Sequence, residues 1–232
     1  MTDIAIAGLQ PLSTVDWPGK LAAVLFLQGC PWSCPYCHNY QILDPATPGA
    51  VPWEEVQRLL AKRQGLLDGV VFSGGEATRQ RAVVLAAAEV KEMGFQVGLH
   101  TAGAYPSTFA RLLDQNLVDW VGLDIKALPG DYQGVAGPAV SADKAQQSLE
   151  LLLKSGVDYE VRFTLWQGGL DYAEKVAAWC QSQGVENFVL QRLQTQHLPP
   201  NYNPGPEVTN WGQVQAEEML KQYEFPQSLV RV

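Results

Sequence analysis

The sequence predicts an α/β fold built on parallel strands, on three observations. Short runs of branched and aromatic apolar residues recur along the chain, stretches of helical spacing separate them, and the two kinds alternate. Runs too short for a helix and mostly apolar suit strands covered on both faces. A repeated strand–helix order implies right-handed crossovers between parallel strands. The pattern fits an open doubly wound sheet and a partial or complete β/α barrel alike, and in each of them ligands gather at the carboxyl ends of the strands.

The strand runs are Ala22–Gln28, Gly69–Ser73, Phe95–Thr101, Val118–Asp124, Asp158–Thr164 and Glu186–Gln191. Pro52–Gln64 places Val56, Leu59 and Leu60 on one helical stripe, with Pro52 suited to the first turn. Residues Arg79 to Met93 form a second helix closed by Gly94. Ser107 can cap a third, carrying Phe109, Leu112 and Leu113; Ser141 can cap a fourth, running through Leu149, Leu152 and Leu153 to Gly156. Asp171, with Glu174 three residues on, resembles a capping pair opening a fifth helix that stops at Gly184. The loops at 44–51 and 197–206 read as surface segments rather than linkers, so one domain over residues 1–232 is expected.

With 47% hydrophobic and 17% charged residues the composition is that of a folded domain, not a disordered chain. No apolar run approaches the roughly 20 residues of a membrane span. The N-terminus has no basic segment leading into a long apolar one, so no signal peptide is read and a cytoplasmic location is expected. Lys and Arg number 16 against 24 Asp and Glu, and the net charge of -8 argues against a nucleic-acid partner. The four cysteines are too few and too unevenly placed for a disulfide scaffold.

Three of them lie in Cys30-Pro-Trp-Ser-Cys34-Pro-Tyr-Cys37-His38, directly after the first predicted strand. Thiolates this close in sequence can face one soft metal centre. A fourth ligand is not supplied neatly: His38 adjoins Cys37, and Cys180 falls in step with Ala173, Val176 and Ala177 as a core residue. Three thiolates on a four-iron cluster leave one iron open to a small molecule; a zinc or redox thiol site is the alternative.

Other polar groups fall at later predicted strand ends. Ser73-Gly74-Gly75-Glu76 offers backbone that a ligand can approach closely, then an acid suited to an ammonium; taken alone, the same residues read as a tight strand-to-helix turn. His100-Thr101-Ala102-Gly103 closes the third strand. Alternation sends Asp124 and Lys126 to one face, which is unfavourable unless they meet each other or a polar ligand. Arg162 lies in an otherwise apolar segment and suits a carboxylate. His197 follows the sixth strand, where a solvated loop histidine would look the same.

The cysteine spacing, with Tyr36 just before the last cysteine, closely resembles the radical S-adenosylmethionine (SAM) superfamily. That resemblance implies a partial (β/α)6 TIM-like barrel. It implies one [4Fe-4S] cluster on Cys30, Cys34 and Cys37, its open iron chelated by the methionine amino and carboxylate groups of SAM. It further implies SAM contacts from Tyr36, His38, Gly74, Gly75, Glu76, Thr101, Asp124, Lys126, Arg162 and His197, with no catalytic side chain beyond the cluster and SAM. Ala77 stands where the family's GGE(P)T motif has proline, and His100 and Ala102 depart from the Asp-Thr-Asn-Gly common in activating enzymes.

More of the chain resembles the anaerobic ribonucleoside-triphosphate reductase activating proteins: Gly8-Leu9-Gln10, Asp16-Trp17-Pro18-Gly19-Lys20, the Cys-Pro-Tyr-Cys-His-Asn run, residues 69–76 and residues 121–126. The resemblance implies that one electron, from a donor such as flavodoxin or ferredoxin, breaks the C5′–S bond of SAM. The 5′-deoxyadenosyl radical so formed takes a hydrogen from a glycine Cα of a partner glycyl-radical enzyme. The alternatives are a radical SAM enzyme acting on a small molecule, deazaguanine-synthase-like, or a non-catalytic zinc or redox module.

Overall fold

The computed structural model describes residues 3–137, 140 and 142–231. In chain order the elements are β1 (Ile6–Ser13), β2 (Ala22–Leu27), α1 (Trp53–Lys62), β3 (Gly69–Gly74), α2 (Val83–Glu92), β4 (Gln96–Thr101), α3 (Pro106–Asp114) and β5 (Trp120–Asp124). They continue with α4 (Tyr132–Ala136), α5 (Asp143–Ser155), β6 (Asp158–Leu165), α6 (Gly169–Ser182), β7 (Asn187–Arg192), α7 (Pro206–Thr209), α8 (Gln213–Leu220) and β8 (Gln227–Arg231). Each predicted strand run coincides with a strand from β2 to β7, while β1 and β8 were not anticipated.

Contacts group the chain into two compact units. The first comprises Met1–Pro31, Gln41–Gly122 and Lys144–Asp158; the second comprises Trp32–Tyr40, Leu123–Asp143 and Tyr159–Val232. In the first, β1 runs antiparallel to β2, and β2, β3 and β4 are parallel neighbours in sequence order. Helix α1 buries Trp53, Val56 and Leu60 and carries Glu54 and Glu55 in its first turn and Lys62 in its last, charges that complement the helix dipole.

The Asp16-Trp17-Pro18-Gly19 segment anchors this unit. Trp17 joins Ala22, Val24, Val71 and Trp120 in a buried cluster and stacks on Trp120 at 5.7 Å. Its ring fills a slot over two strand glycines: a Cβ on Gly69 would come within 2.9 Å of Trp17 Cζ3, and one on Gly98 within 2.9 Å of Cε3. Glycine in a strand interior is otherwise unfavourable. Here it makes room for an indole.

In the second unit β6, β7 and β8 are parallel, with Val161 opposite Phe188 and Leu190 opposite Val230. Helix α6 buries Ala173, Val176, Ala177 and Cys180, so Cys180 is the core residue its spacing suggested.

Three helix starts differ from expectation. Helix α3 begins at Pro106 after Tyr105, which leaves Ser107 inside the first turn rather than capping it. Helix α6 begins at Gly169, after Gly168 at φ 71°, so Asp171 lies within its first turn. Helix α2 begins at Val83, because Ala77–Arg79 forms a separate 3-10 turn whose start is capped by the Glu76 side chain. The predicted cap Ser141 lies outside the described residues. Among these, no helix is long and apolar enough to cross a membrane.

Candidate functional site

In the first unit, Cys30 follows the end of β2. The N–H groups of Gly29 and Cys30 donate to the carbonyls of Ile42 (2.8 Å) and Leu43 (3.0 Å). The Gly74-Gly75-Glu76 turn runs against this same stretch, with Gly75 N donating to Leu27 O (2.9 Å) and Glu76 N to Gly29 O (3.0 Å). A Cβ on Gly74, which has φ 110°, would overlap the backbone of Leu27; one on Gly75 would overlap the Gly29 carbonyl. The two glycines are therefore required by the strand end that carries Cys30, a packing reason the sequence alone did not reveal.

Glu76 is buried, 1% exposed, and four donors converge on its carboxylate. Oε1 accepts from Thr78 N (3.0 Å), Thr78 Oγ1 (2.5 Å) and Thr101 Oγ1 (2.6 Å), and Oε2 accepts from Ala102 N (2.8 Å). Charge-assisted bonds of this kind tie the end of β3 to the end of β4. Ala102 takes part through its backbone, so its departure from asparagine leaves this contact intact.

His100 is also engaged. Its Nδ1 is 3.2 Å from Ser73 Oγ, its Nε2 is 2.7 Å from the Asp16 carbonyl, and its ring meets Trp120 edge-on. It fastens the Asp16–Trp17 segment to the strand ends. Arg79, which the sequence reading passed over, lies beside the cysteine-bearing strand: a Cβ on Gly29 would come within 3.1 Å of its Nη1. Burial raises the pKa of Tyr105, with Arg79 opposing and with Glu76 and Cys30 adding to the rise.

In the second unit, Cys34 and Cys37 lie on one turn, with Cys37 N donating to Cys34 O (3.1 Å). The segment rests on α4, where Ser33 N donates to Ala136 O (3.3 Å) and Trp32 packs edge-on against Tyr132 at 5.8 Å. Tyr36 is buried, stacked on Trp166 at 5.3 Å and tilted against Tyr202 at 6.4 Å. Among the described residues its buried hydroxyl has no hydrogen-bond partner. Lys126 Nζ stands 5.9 Å from the centre of the same ring.

Ile125 N donates to the Arg162 carbonyl (2.9 Å), which sets the Asp124–Lys126 segment beside β6. Lys126 Nζ is 3.2 Å from Asp124 Oδ2, and Arg162 Nε is 2.7 Å from Asp124 Oδ1. Asp124 and Lys126 thus meet each other, and Arg162 joins them. Trp166 Nε1 donates to the Lys126 carbonyl (2.8 Å) and Lys126 N to Tyr132 Oη (3.3 Å).

Burial pushes the Cys34 thiol up to about 11, even though Lys126 favours its thiolate. For Lys126 burial is again the largest influence and disfavours the charge, but Asp124 and Cys34 outweigh it and hold the ammonium above its usual range.

Two expected contacts are not drawn into this group. His38 is exposed and its Nε2 lies 2.6 Å from the Gln194 carbonyl. His197 is exposed, in a loop at φ 63°. One residue the sequence reading missed is Glu160, 3% exposed, which pairs with Arg231. Its signal was present, since Glu160 and Arg162 alternate in β6 as Asp124 and Lys126 do at the end of β5.

Among the described residues, no three of His, Cys, Asp and Glu converge as a single metal ion would require. Cys30, Cys34 and Cys37 are all partly accessible. Soft sulfur donors, with a lysine ammonium acting on Cys34, fit an iron–sulfur cluster.

The model of the radical SAM superfamily matches residues 24–175. A Methanocaldococcus jannaschii protein provisionally named a glycyl-radical enzyme activating enzyme is 34% identical over 79% of this chain and 79% of its own. The pyruvate formate-lyase 1-activating enzyme of Escherichia coli K12 is 27% identical over 80% of this chain and 78% of its own. Among solved structures, Streptococcus suis SuiB bound to S-adenosylmethionine superposes with a TM-score of 0.66 at 13% identity, over 88% of this chain; the chain spans 47% of SuiB. These likenesses give the α/β partial-barrel fold class that the sequence resemblance implied.

Proposed function

The chain belongs to the radical SAM superfamily, and on that premise we propose that it is an activating enzyme that installs a glycyl radical on a partner protein. The observation that carries the reading is the cluster formed in the second unit by Cys34, Cys37, Tyr36, Asp124 and Lys126. Kinship with the two activating enzymes selects this reaction among those of the superfamily.

When bound, the [4Fe-4S] cluster and SAM supply one electron and, by cleavage of the C5′–S bond, a 5′-deoxyadenosyl radical able to take hydrogen from a glycine Cα. Cys30, Cys34 and Cys37 would each hold one iron and leave the fourth for the methionine end of SAM. The fixed cations Lys126 and Arg162 would receive the SAM carboxylate. The ammonium would meet the Gly74–Glu76 turn through its backbone, because the Glu76 carboxylate already serves four donors. Thr101 would lie on the ribose side. Tyr36, Trp166 and Tyr202 form an aromatic wall that would keep water from the reacting atoms.

An anaerobic ribonucleotide reductase-like enzyme is the partner we assign, from the Asp16–Lys20 and 121–126 runs. A low-potential flavodoxin or ferredoxin is the donor, and the cytoplasm, where thiols stay reduced, is the location.

Anaerobic reconstitution with iron and sulfide, then dithionite and SAM, tests the reading. The expected result is 5′-deoxyadenosine and, with such a partner present, an organic radical detectable by electron paramagnetic resonance. Purified protein holding zinc and no iron would refute it, and so would turnover of a heterocycle without any protein partner.

A further inference from the structure

Behind the cations of the candidate site lies a second pair of charges. Glu160 is two residues before Arg162 on β6, so alternation puts both side chains on one face of the strand. It is 3% exposed, a costly setting for a carboxylate unless it is paired. Arg231 on β8 supplies the pair as a two-pronged contact, Nη1 to Oε1 at 2.8 Å and Nη2 to Oε2 at 2.9 Å. Arg162 Nη1 is farther from the same carboxylate, 3.9 Å from Oε1, while its Nε is 2.7 Å from Asp124. Charge therefore alternates in sign from Arg231 through Glu160, Arg162 and Asp124 to Lys126.

We infer that Glu160 and Arg231 are positioning residues: by saturating Glu160, the guanidinium of Arg231 keeps Arg162 on Asp124, and so leaves the Lys126 ammonium able to bind a ligand carboxylate. A planar fork meeting a carboxylate in two bonds neutralises it strongly and in one orientation. Without that fork, Glu160 competes with Asp124 for Arg162. Asp124, losing one cation, closes harder on the other, and Lys126 has less to offer an incoming anion. The last strand of the chain thereby tunes an anion site at the end of β5. This inference rests on the activating-enzyme reading, under which the anion is the carboxylate of SAM.

The test uses anaerobically reconstituted holoenzyme, with the SAM dissociation constant from equilibrium binding and the iron content as readouts. Arg231→Gln should weaken SAM binding on the order of 3- to 10-fold, the range of coupling between neighbouring charges, with iron content unchanged. Adding Glu160→Gln to it removes the competing carboxylate, and should restore affinity to within about 2-fold of the parent, even if the melting temperature stays low. If Arg231→Gln does not fold, Arg231→Lys, which keeps the charge and loses the fork, should show a smaller loss that Glu160→Gln again repairs. Unchanged affinity in the single variant would overturn the inference, as would a double variant no better than the single, which is what a purely structural strand anchor gives. A parent holoenzyme that binds no SAM would instead overturn the activating-enzyme reading, and this inference with it.

Discussion

Gly75 has an intermediate exposure, yet it has no room for a methyl group, because a Cβ there would run into the Gly29 carbonyl. Backbone on both sides leaves little scope for relief. Gly75→Ala is expected to destabilise the protein by about 1–3 kcal/mol, the usual range for forced overpacking. The strain should fall on the residue next to Gly29, so iron uptake by the variant should drop as well, since Cys30 is displaced. Urea denaturation and iron content per chain after reconstitution check the two halves. Parent-like iron content would show that the turn does not position Cys30. Glu76 teaches the same lesson in polar form: an acid that could serve a ligand is buried and spent on four internal donors.

At the scale of elements, two aromatic side chains tie separate segments together. Trp17 is one, filling the slot over Gly69 and Gly98 and stacked on Trp120. Trp17→Ala empties that slot and should lower stability by about 3–5 kcal/mol, measurable by chemical denaturation; a loss below about 1 kcal/mol would mean the slot collapses around the missing ring.

The other tether is Tyr172, whose hydroxyl accepts from Leu128 N (3.1 Å) and donates to Asp131 Oδ2 (2.8 Å), holding the loop after β5. Burial pushes its pKa up to about 12, against an ordinary value near 10. The neutral phenol is thus favoured in the folded state. Its contribution is complete below about pH 10, where both folded and unfolded forms are protonated, and is lost as the pH rises from about 10 to 12 and the unfolded form ionises first. Tyr172→Phe should therefore lower the melting temperature at neutral pH and make its alkaline decline shallower over that window. A decline as steep as the parent's would assign the alkaline loss to other groups.

For the molecule as a whole, binding is linked to stability. SAM at a hundred times its dissociation constant should stabilise the reconstituted protein by about 2.7 kcal/mol, seen as a rise in melting temperature. Cys34→Ala, expected to lose the cluster and SAM cleavage together, should lose that rise. A variant still stabilised by SAM would show that the cluster is not where SAM binds. Much of this organisation was legible beforehand. Strands β2 to β7 follow from apolar runs, and α1, α2, α3, α5 and α6 from spacing and glycine stops, since both patterns are local; the five-residue α4 is too short to show such a pattern.

Strands β1 and β8 escaped because each exposes several residues; β8 leaves Gln227, Ser228 and Leu229 outward, and strands exposed in this way break the apolar run by which the others were recognised. By itself the sequence determined the order of β2 to β7 and of the five longer helices among them, the trio of thiols and the polar groups at the strand ends, because these depend on neighbours along the chain. Only the tertiary structure decided that Gly75 serves the backbone before Cys30, that Glu76 binds Thr101 and Ala102, and that Arg231 closes on Glu160 from 71 residues away. The physical reason is that a hydrogen bond or ion pair is fixed by distance in space, and strands adjacent in a sheet bring together residues that no local pattern relates.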